Sequence, residues 1–158
     1  MLKSTLLRLF CVFALLTGLA SSAAGQTVVN FPDPNLEAAI RAAIGKPTGP
    51  IYDTDVAGLR SLLADGVAIS DLTGLEHCTS LISLSLSTNQ ISDLSPLAGL
   101  TSLIYLYLRT NQINDLGPLA GLTSLTTLYL HNNQISDLSA LAGLTNLTEL
   151  YLNYNQIR

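Results

Sequence analysis

A repeat of 22 residues is the feature that most constrains the fold of this chain. Residues 81–102 are LISLSLSTNQISDLSPLAGLTS, residues 103–124 are LIYLYLRTNQINDLGPLAGLTS, and residues 125–146 are LTTLYLHNNQISDLSALAGLTN. Residues 59–80 keep the apolar positions of this unit, and residues 147–158 match its first half. Because a unit this short buries its apolar face only against its neighbours, repetition at a fixed period predicts a solenoid of stacked coils.

The first half of each repeat predicts a strand followed by a turn. Its pattern LxxLxLxxN alternates apolar and variable residues, which is typical of a short strand with one buried face. The asparagine that follows is expected to bond the backbone of its own and the neighbouring coil, so that buried polar groups keep their partners. This structural column consists of Asn89, Asn111, Asn133 and Asn155.

The second half of each repeat places an aspartate before a short apolar turn, at Asp93, Asp115 and Asp137. Aspartate before a turn that accepts Pro96 predicts the N-cap of a short or 3₁₀ helix, and Gly99 lets the chain bend back. A calcium site is the alternative use of this column. Each coil offers one carboxylate, however, whereas calcium takes about six to eight oxygen ligands. No metal and no other cofactor is predicted.

Seven apolar positions recur in each coil and are predicted to form the core. Cys78 occupies a position that leucine holds in later repeats, which indicates a buried thiol in preference to a reactive one. In residues 81–102 the core positions are Leu81, Leu84, Leu86, Ile91, Leu94, Leu97 and Leu100.

These repeats resemble the leucine-rich repeat family, specifically the 22-residue class of internalin-like bacterial surface proteins. The pattern LxxLxLxxNxIxDLxxLxxL carries the resemblance and covers residues 59–158. The resemblance implies an α/β fold, a right-handed solenoid with short parallel strands on its concave face and short or 3₁₀ helical turns on its convex face. The chain departs from the family in having few coils and no visible C-terminal cap.

Residues 26–58 lack the repeat and are predicted to form an N-terminal helical cap. Their segment FPDPNLEAAIRAAIGKPTG places Asp33 at an N-cap, Pro34 at the first helical position and Gly45 after the end. Internalin-like proteins carry a similar helix after an FPD sequence. Such a helix would close the open core of the first coil. Its apolar face would consist of Leu36, Ile40 and Ile44.

Residues 1–25 have the organisation of a secretory signal. Lys3 and Arg8 precede an apolar run from residue 9 to residue 20, and small residues follow. A retained anchor is the alternative, although this run is shorter than the roughly 20 residues that span a membrane. We expect cleavage, which leaves a protein without a membrane span that is secreted, attached to the cell surface or periplasmic.

Charge and cysteine content exclude several partners. Loss of residues 1–25 would change the net charge from −4 to −6, because both Lys3 and Arg8 are removed. A chain this acidic is a poor candidate for binding nucleic acid, because proteins bind nucleic acid through clustered Lys and Arg. One cysteine, Cys78, would remain, so no internal disulfide is expected.

The outward strand positions are predicted to line the concave face, and they vary between coils that are otherwise nearly identical. The central column holds Ser85, Tyr107, Tyr129 and Tyr151. The column two residues further along holds Ser87, Arg109, His131 and Asn153. The two outer columns hold Ser83, Tyr105, Thr127 and Glu149 on one side, and Thr88, Thr110, Asn132 and Tyr154 on the other.

Tyrosines in the central column are predicted to form an aromatic ladder, because neighbouring strands are about 4.8 Å apart. Tyrosine and arginine are favoured at recognition surfaces, but a ladder also stabilises strands through same-face pairing. For Arg109 and His131 a solvated position is the alternative. The candidate contact residues are Tyr105, Tyr107, Arg109, Tyr129, His131, Glu149, Tyr151 and Tyr154.

Two hypotheses for function follow from this surface. The first is a non-catalytic recognition module that binds a protein, with a glycan as the alternative ligand. The second is self-association, because residues 147–158 form half a coil and leave apolar side chains beside an unpaired strand edge. The same observation favours a fragment of a longer repeat array. The edge residues are Leu147, Leu150, Leu152 and Ile157.

An enzyme is not predicted. His131 has no serine or cysteine nucleophile beside it in the neighbouring column, and His77 is expected on the convex side. The recurring AGLT segments punctuate the repeat and do not form a phosphate-binding loop.

Overall fold

Five stacked coils form the body of the protein. The computed structural model describes residues 25–158, so the predicted secretory signal lies, apart from Gly25, outside the described residues. Each coil contributes one strand, and the strands pair in parallel in chain order. This confirms the predicted solenoid with parallel strands. The strands are β1 (Ser61–Leu63), β2 (Ser83–Ser85), β3 (Tyr105–Tyr107), β4 (Thr127–Tyr129) and β5 (Glu149–Tyr151).

The register of the sheet equals one repeat. Leu62 pairs with Leu84, Leu84 with Leu106, and Leu106 with Leu128. Equivalent residues of successive coils therefore stand side by side, and each position of the repeat becomes a straight column across the sheet.

Short 3₁₀ turns occupy the opposite side, as predicted, but the aspartates lie one residue further from them than an N-cap. Leu94 holds the N-cap position of one such turn, and Asp93 Oδ1 accepts the backbone N–H of Ser95 at 2.8 Å. The intervening leucine is buried in the core, which moves the carboxylate one position back along the chain. The turns span Leu75–His77, Ser95–Leu97, Gly117–Leu119 and Ser139–Gly143.

The predicted core columns are buried. Leu84, Leu106 and Leu128 are each 0% exposed, and they stack between the strands and the 3₁₀ turns. Cys78 is also 0% exposed. Burial, together with the nearby Glu76 carboxylate, raises the pKa of this thiol to about 12, so it stays protonated and unreactive at neutral pH.

The asparagine column connects each coil to the one before it, as predicted. Asn111 Oδ1 accepts the N–H of Ile91 at 3.0 Å. Its Nδ2 donates to the carbonyls of Leu86 and Leu108 at 3.0 and 3.1 Å. One buried amide thus satisfies backbone groups of two coils, and Asn133 repeats the arrangement one coil later.

The residue before each of these asparagines adopts a left-handed backbone conformation. Thr88, Thr110, Asn132 and Tyr154 have φ between 56° and 59°, and Gly66 takes this position in the first coil with φ 68°. A positive φ is unfavourable for threonine and tyrosine. The stacked coils impose it because the chain must turn sharply here to bring the asparagine amide inward.

The N-terminal cap begins with the predicted helix α1 (Pro34–Ile44). Asp33 Oδ1 accepts the N–H groups of Asn35 and Leu36 at 2.9 and 3.1 Å. Gly45 ends the helix with φ 67°. Leu36 and Ile40 are fully buried, and they cover the end of the core.

Asp33 also holds the cap against the first coil, a role that the sequence analysis did not predict. Its Oδ2 accepts the N–H groups of Ser70 and Asp71 at 2.8 and 3.3 Å. Burial by itself would raise the pKa of this carboxyl. The backbone N–H donors, led by Ser70 and followed by Leu36, outweigh burial and lower the pKa below 3.8.

The rest of the cap contains structure that was not predicted. A second short helix, α2 (Asp53–Val56), follows a bridge in which Val28 pairs antiparallel with Tyr52. Val28 lies before α1 and Tyr52 after it, so the bridge closes a loop between residues far apart in sequence. Local periodicity carries no signal for such a contact.

The fifth coil is more open than the others. Leu150 and Ile157 are each 41% exposed, whereas Leu128 and Ile135, their equivalents one coil earlier, are 0% exposed. In the interior of the stack, the residues equivalent to Leu150 and Ile157 are covered by the coil that follows.

We expect Asn111→Ala to lower the free energy of unfolding by about 2–4 kcal/mol, because the buried Ile91 N–H loses its acceptor and the Leu86 and Leu108 carbonyls each lose one of their two amide donors. Exposed Asn114 provides a matched control, and Asn114→Ala should stay within about 0.5 kcal/mol of the wild type. Urea unfolding followed by circular dichroism measures both. Equal stability of the two variants would contradict the structural role of the column.

The Asp33 clasp predicts a pH-dependent stability. Its pKa is lower in the folded chain than 3.8, the ordinary value, so its contribution is complete above that pH and is lost as the pH falls through the folded pKa. Asp33→Asn should therefore destabilise the protein at pH 7, and its difference from the wild type should shrink below pH 3.8. Asp115→Asn is the control, since this exposed carboxylate accepts, among the described residues, only the backbone N–H of Gly117 within its own turn. A difference for Asp33→Asn that is constant with pH would refute the clasp.

Candidate functional site

The sheet brings the candidate residues onto one face. Ser85, Tyr107, Tyr129 and Tyr151 end successive strands and lie in register. Tyr105 and Glu149 begin their strands in the neighbouring outer column. Arg109, His131 and Tyr154 follow the strands. The register of the strands therefore aligns these residues in the predicted columns.

Three tyrosines form a continuous aromatic ladder. The ring centroids of Tyr107 and Tyr129 are 5.0 Å apart, with the planes at 86°. Those of Tyr129 and Tyr151 are 4.5 Å apart, with the planes at 59°. The first of these contacts is edge-to-face, which is favourable because the positive edge of one ring meets the negative face of the next. The rings tilt and do not stack in parallel.

Glu149 fixes the middle of the ladder. The hydroxyl of Tyr129 donates to Glu149 Oε2 at 3.0 Å. Principally because of this bond, with further contributions from desolvation and from the Glu149 charge, the pKa of the phenol rises to about 12. Tyr129 therefore remains a neutral donor throughout the physiological range, held in one orientation by the carboxylate.

His131 extends the cluster into the next column. Its ring lies 6.3 Å from the rings of both Tyr129 and Tyr151. Its Nδ1 is buried and has no hydrogen-bond partner within residues 25–158. The imidazole is thus packed against the ladder and is not a freely solvated side chain.

The remaining candidates lie outside this aromatic cluster. Tyr154 is 76% exposed and Tyr105 is 42% exposed, and the two rings make no aromatic contact within the described part of the chain. Arg109 is exposed and lines an open recess of about 390 Å³ beside Tyr107. The eight predicted residues therefore divide into two groups. Five form a packed cluster, namely Tyr107, Tyr129, His131, Glu149 and Tyr151. Three lie outside it, namely Tyr105, Arg109 and Tyr154.

Leu63 belongs to this face and was missed by the sequence analysis. It ends β1, pairs with Ser85 and is 75% exposed. Its side chain therefore stands at the head of the central column. Alignment of residues 59–80 with the later repeats contains the signal, since Leu63 aligns with Ser85 and Tyr107. A leucine in a leucine-rich coil is easily assigned to the core.

The described part of the chain contains no metal-binding constellation. Within residues 25–158 no three His, Cys, Asp or Glu side chains are placed to share an ion. No helix in the same range is long and apolar enough to cross a membrane.

Known proteins share the repeat. A family model described as Leucine Rich repeats (2 copies) matches residues 79–121, 101–143 and 123–158, which together make up half of the chain. The chain belongs to the leucine-rich repeat family. Internalin H of Listeria monocytogenes serovar 1/2a is 42% identical over 75 residues, or 45% of this chain and 14% of that protein.

One of the solved structures that match extends the likeness of this leucine-rich repeat chain beyond its repeats. An internalin (inlF) from Listeria monocytogenes str. 4b F2365 matches with a TM-score of 0.69 at 30% identity, over 81% of this chain and 45% of that one. The structure of CBM51-2 in complex with GlcNAc and INT domains from Clostridium perfringens ZmpB matches with a TM-score of 0.51 at 34% identity, over 56% of this chain and 19% of that one. The chain thus spans less than half the length of these relatives, and the repeats are internalin-like.

Loss of the carboxylate should lower the pKa of the central tyrosine. In Glu149→Gln the phenol of Tyr129 loses its charged acceptor, so its pKa should fall from about 12 toward the ordinary value of 10. Titration of ¹³Cζ-labelled tyrosine by NMR measures this directly. Glu76→Gln, on the opposite side of the coils, should leave the curve unchanged. An unaltered Tyr129 curve in Glu149→Gln would show that the 3.0 Å bond is absent in solution.

Proposed function

We propose that this chain is a secreted leucine-rich repeat recognition module that binds a protein partner through its concave face and catalyses no reaction. The observation that carries the proposal is the distribution of variation. Across residues 81–158 the core, asparagine and turn positions barely change between coils, whereas the outward strand positions change from serine to tyrosine, arginine, histidine and glutamate. Constancy in the framework with variety on one face is the pattern of a surface adapted to a ligand.

The composition of the face favours a protein ligand. Tyrosine is enriched at protein interfaces because its ring offers a large, stiff contact area with a polar tip. Packing within the ladder restrains the rings before a partner arrives, since Tyr129 contacts a ring on each side and hydrogen-bonds Glu149. A restrained side chain loses less entropy on binding than a mobile one.

Secretion is part of the proposal and is supported by residues 1–25, whose charged start, apolar run and small residues are typical of a cleaved signal. The candidate contact residues are the eight named above together with Leu63. The internalin-like relatives support a protein-interaction role for the repeats.

A selection experiment tests the proposed face. The immobilised chain would be used to select binders from a phage-displayed random peptide library. Tyr107→Ala, Tyr129→Ala and Tyr151→Ala should each weaken the selected peptides by about 10-fold or more, because each removes a central aromatic contact. Tyr52→Ala, which changes the tyrosine of the N-terminal cap, is the matched control and should leave the affinity within about 2-fold.

Circular dichroism of each variant would show that the fold is intact. Peptides that bind all three alanine variants as tightly as the wild type would refute the concave face as the binding surface. Binding to oligosaccharides on a glycan array, without any selectable peptide, would replace the protein ligand by a glycan.

A further inference from the structure

One position in the central column, that of Ser85, carries no large side chain and is in this sense vacant. Along this column the residues are Leu63, Ser85, Tyr107, Tyr129 and Tyr151. Ser85 thus separates the side chain of Leu63 from the aromatic ladder. Since adjacent strands are about 4.8 Å apart, the strands that carry Leu63 and Tyr107 are separated by about 9.6 Å. The recess of about 390 Å³ lies over this gap, and its serines are Ser61, Ser83, Ser85 and Ser87.

The gap has the dimensions of one aromatic side chain. Neighbouring rings of the ladder have centroids 5.0 and 4.5 Å apart. A ring placed over Ser85 would meet Tyr107 at the same spacing and would pack against Leu63 on its other side. It would also cover Leu63, which is 75% exposed, and burial of that surface favours binding.

Asp65 and Arg109, the two charged residues that line the recess, differ in the partners that they already bind within the protein. Asp65 Oδ1 accepts the hydroxyl of Ser85 and the backbone N–H of Ser87, both at 2.7 Å. Arg109 lines the same recess and forms no ion pair within the described residues. Oδ1 of Asp65 is therefore already occupied by two donors of the protein, whereas the guanidinium of Arg109 is available to a carboxylate of a ligand.

We propose that the recess over Ser85 is the anchor pocket for one aromatic side chain of the protein partner, and that Arg109 binds an acidic residue next to that side chain. The inference rests on the proposed function and adds the chemistry of the contact. The partner completes the ladder at its vacant position, so the ring inserts between Leu63 and Tyr107.

Dipeptide probes test the pocket and its charge preference. N-acetyl-aspartyl-tyrosinamide titrated into the ¹⁵N-labelled chain should shift the amide signals of Ser83, Ser85 and Arg109. Intermolecular nuclear Overhauser effects should appear between the ring protons of the probe and the Leu63 methyl groups. N-acetyl-lysyl-tyrosinamide, the matched probe of opposite charge, should bind at least about 3-fold more weakly, and Arg109→Gln should remove that difference. Equal binding of the two probes to the wild type would overturn the role of Arg109.

A substitution that fills the pocket gives the second test. In Ser85→Tyr the chain supplies its own ring at the vacant position, so binding of the aspartyl probe should weaken by about 10-fold or more while the fold is kept by an added cross-strand aromatic pair. Ser124→Tyr makes the same change at an exposed position outside the concave face and should leave binding unchanged. Leu63→Ala, at a position 75% exposed, removes one wall without touching the core and should weaken binding about 3-fold or more.

These outcomes separate the pocket from the wider function. If library-selected peptides lose affinity in Tyr129→Ala but bind Ser85→Tyr as tightly as the wild type, the pocket is refuted while the concave face stands. If neither variant affects the selected peptides, the proposed binding face fails as well. Probe shifts confined to Tyr151 and Tyr154 would likewise overturn the pocket.

Discussion

The buried asparagine amide is the interaction on which the rest of the structure depends. Each strand is only three residues long, and a sheet of such strands leaves many backbone groups unpaired at the turns. Asn111 and its equivalents satisfy those groups in two coils at once. Because a buried unpaired N–H or carbonyl costs about 1–3 kcal/mol, the amide makes a sharp turn compatible with a dry core and holds successive coils in register.

That register gives the concave face its chemistry. A shift of one residue would break the columns, because side chains alternate between the two faces of a strand. With the columns aligned, Tyr107, Tyr129 and Tyr151 touch, and Glu149 reaches the hydroxyl of Tyr129. The left-handed residues Thr88 and Thr110 are part of the same constraint. The backbone accepts their unfavourable conformation so that the following asparagine can point inward.

The N-terminal cap follows a different logic, since it does not repeat. Asp33 uses one carboxylate oxygen for its own helix and the other for the first coil. Gly74 admits Phe31 at the same junction, where a Cβ would lie 2.6 Å from the ring. The sequence predicts helix α1 and its capping residue because both depend on neighbours in the chain. The docking partners Ser70 and Gly74 lie about forty residues away in sequence, beyond the reach of any local pattern.

The sequence by itself determined the coil, its core columns, the asparagine ladder and the columns of the face apart from Leu63, because a 22-residue period makes every contact between coils a contact between equivalent positions. Tertiary structure alone decided how the side chains of that face use their space. The tilt of the rings, the bond from Tyr129 to Glu149, the exposure of Leu63 and the recess over Ser85 depend on which different residues meet across neighbouring strands. Those contacts involve positions at which the coils differ from one another, so the 22-residue period carries no information about them.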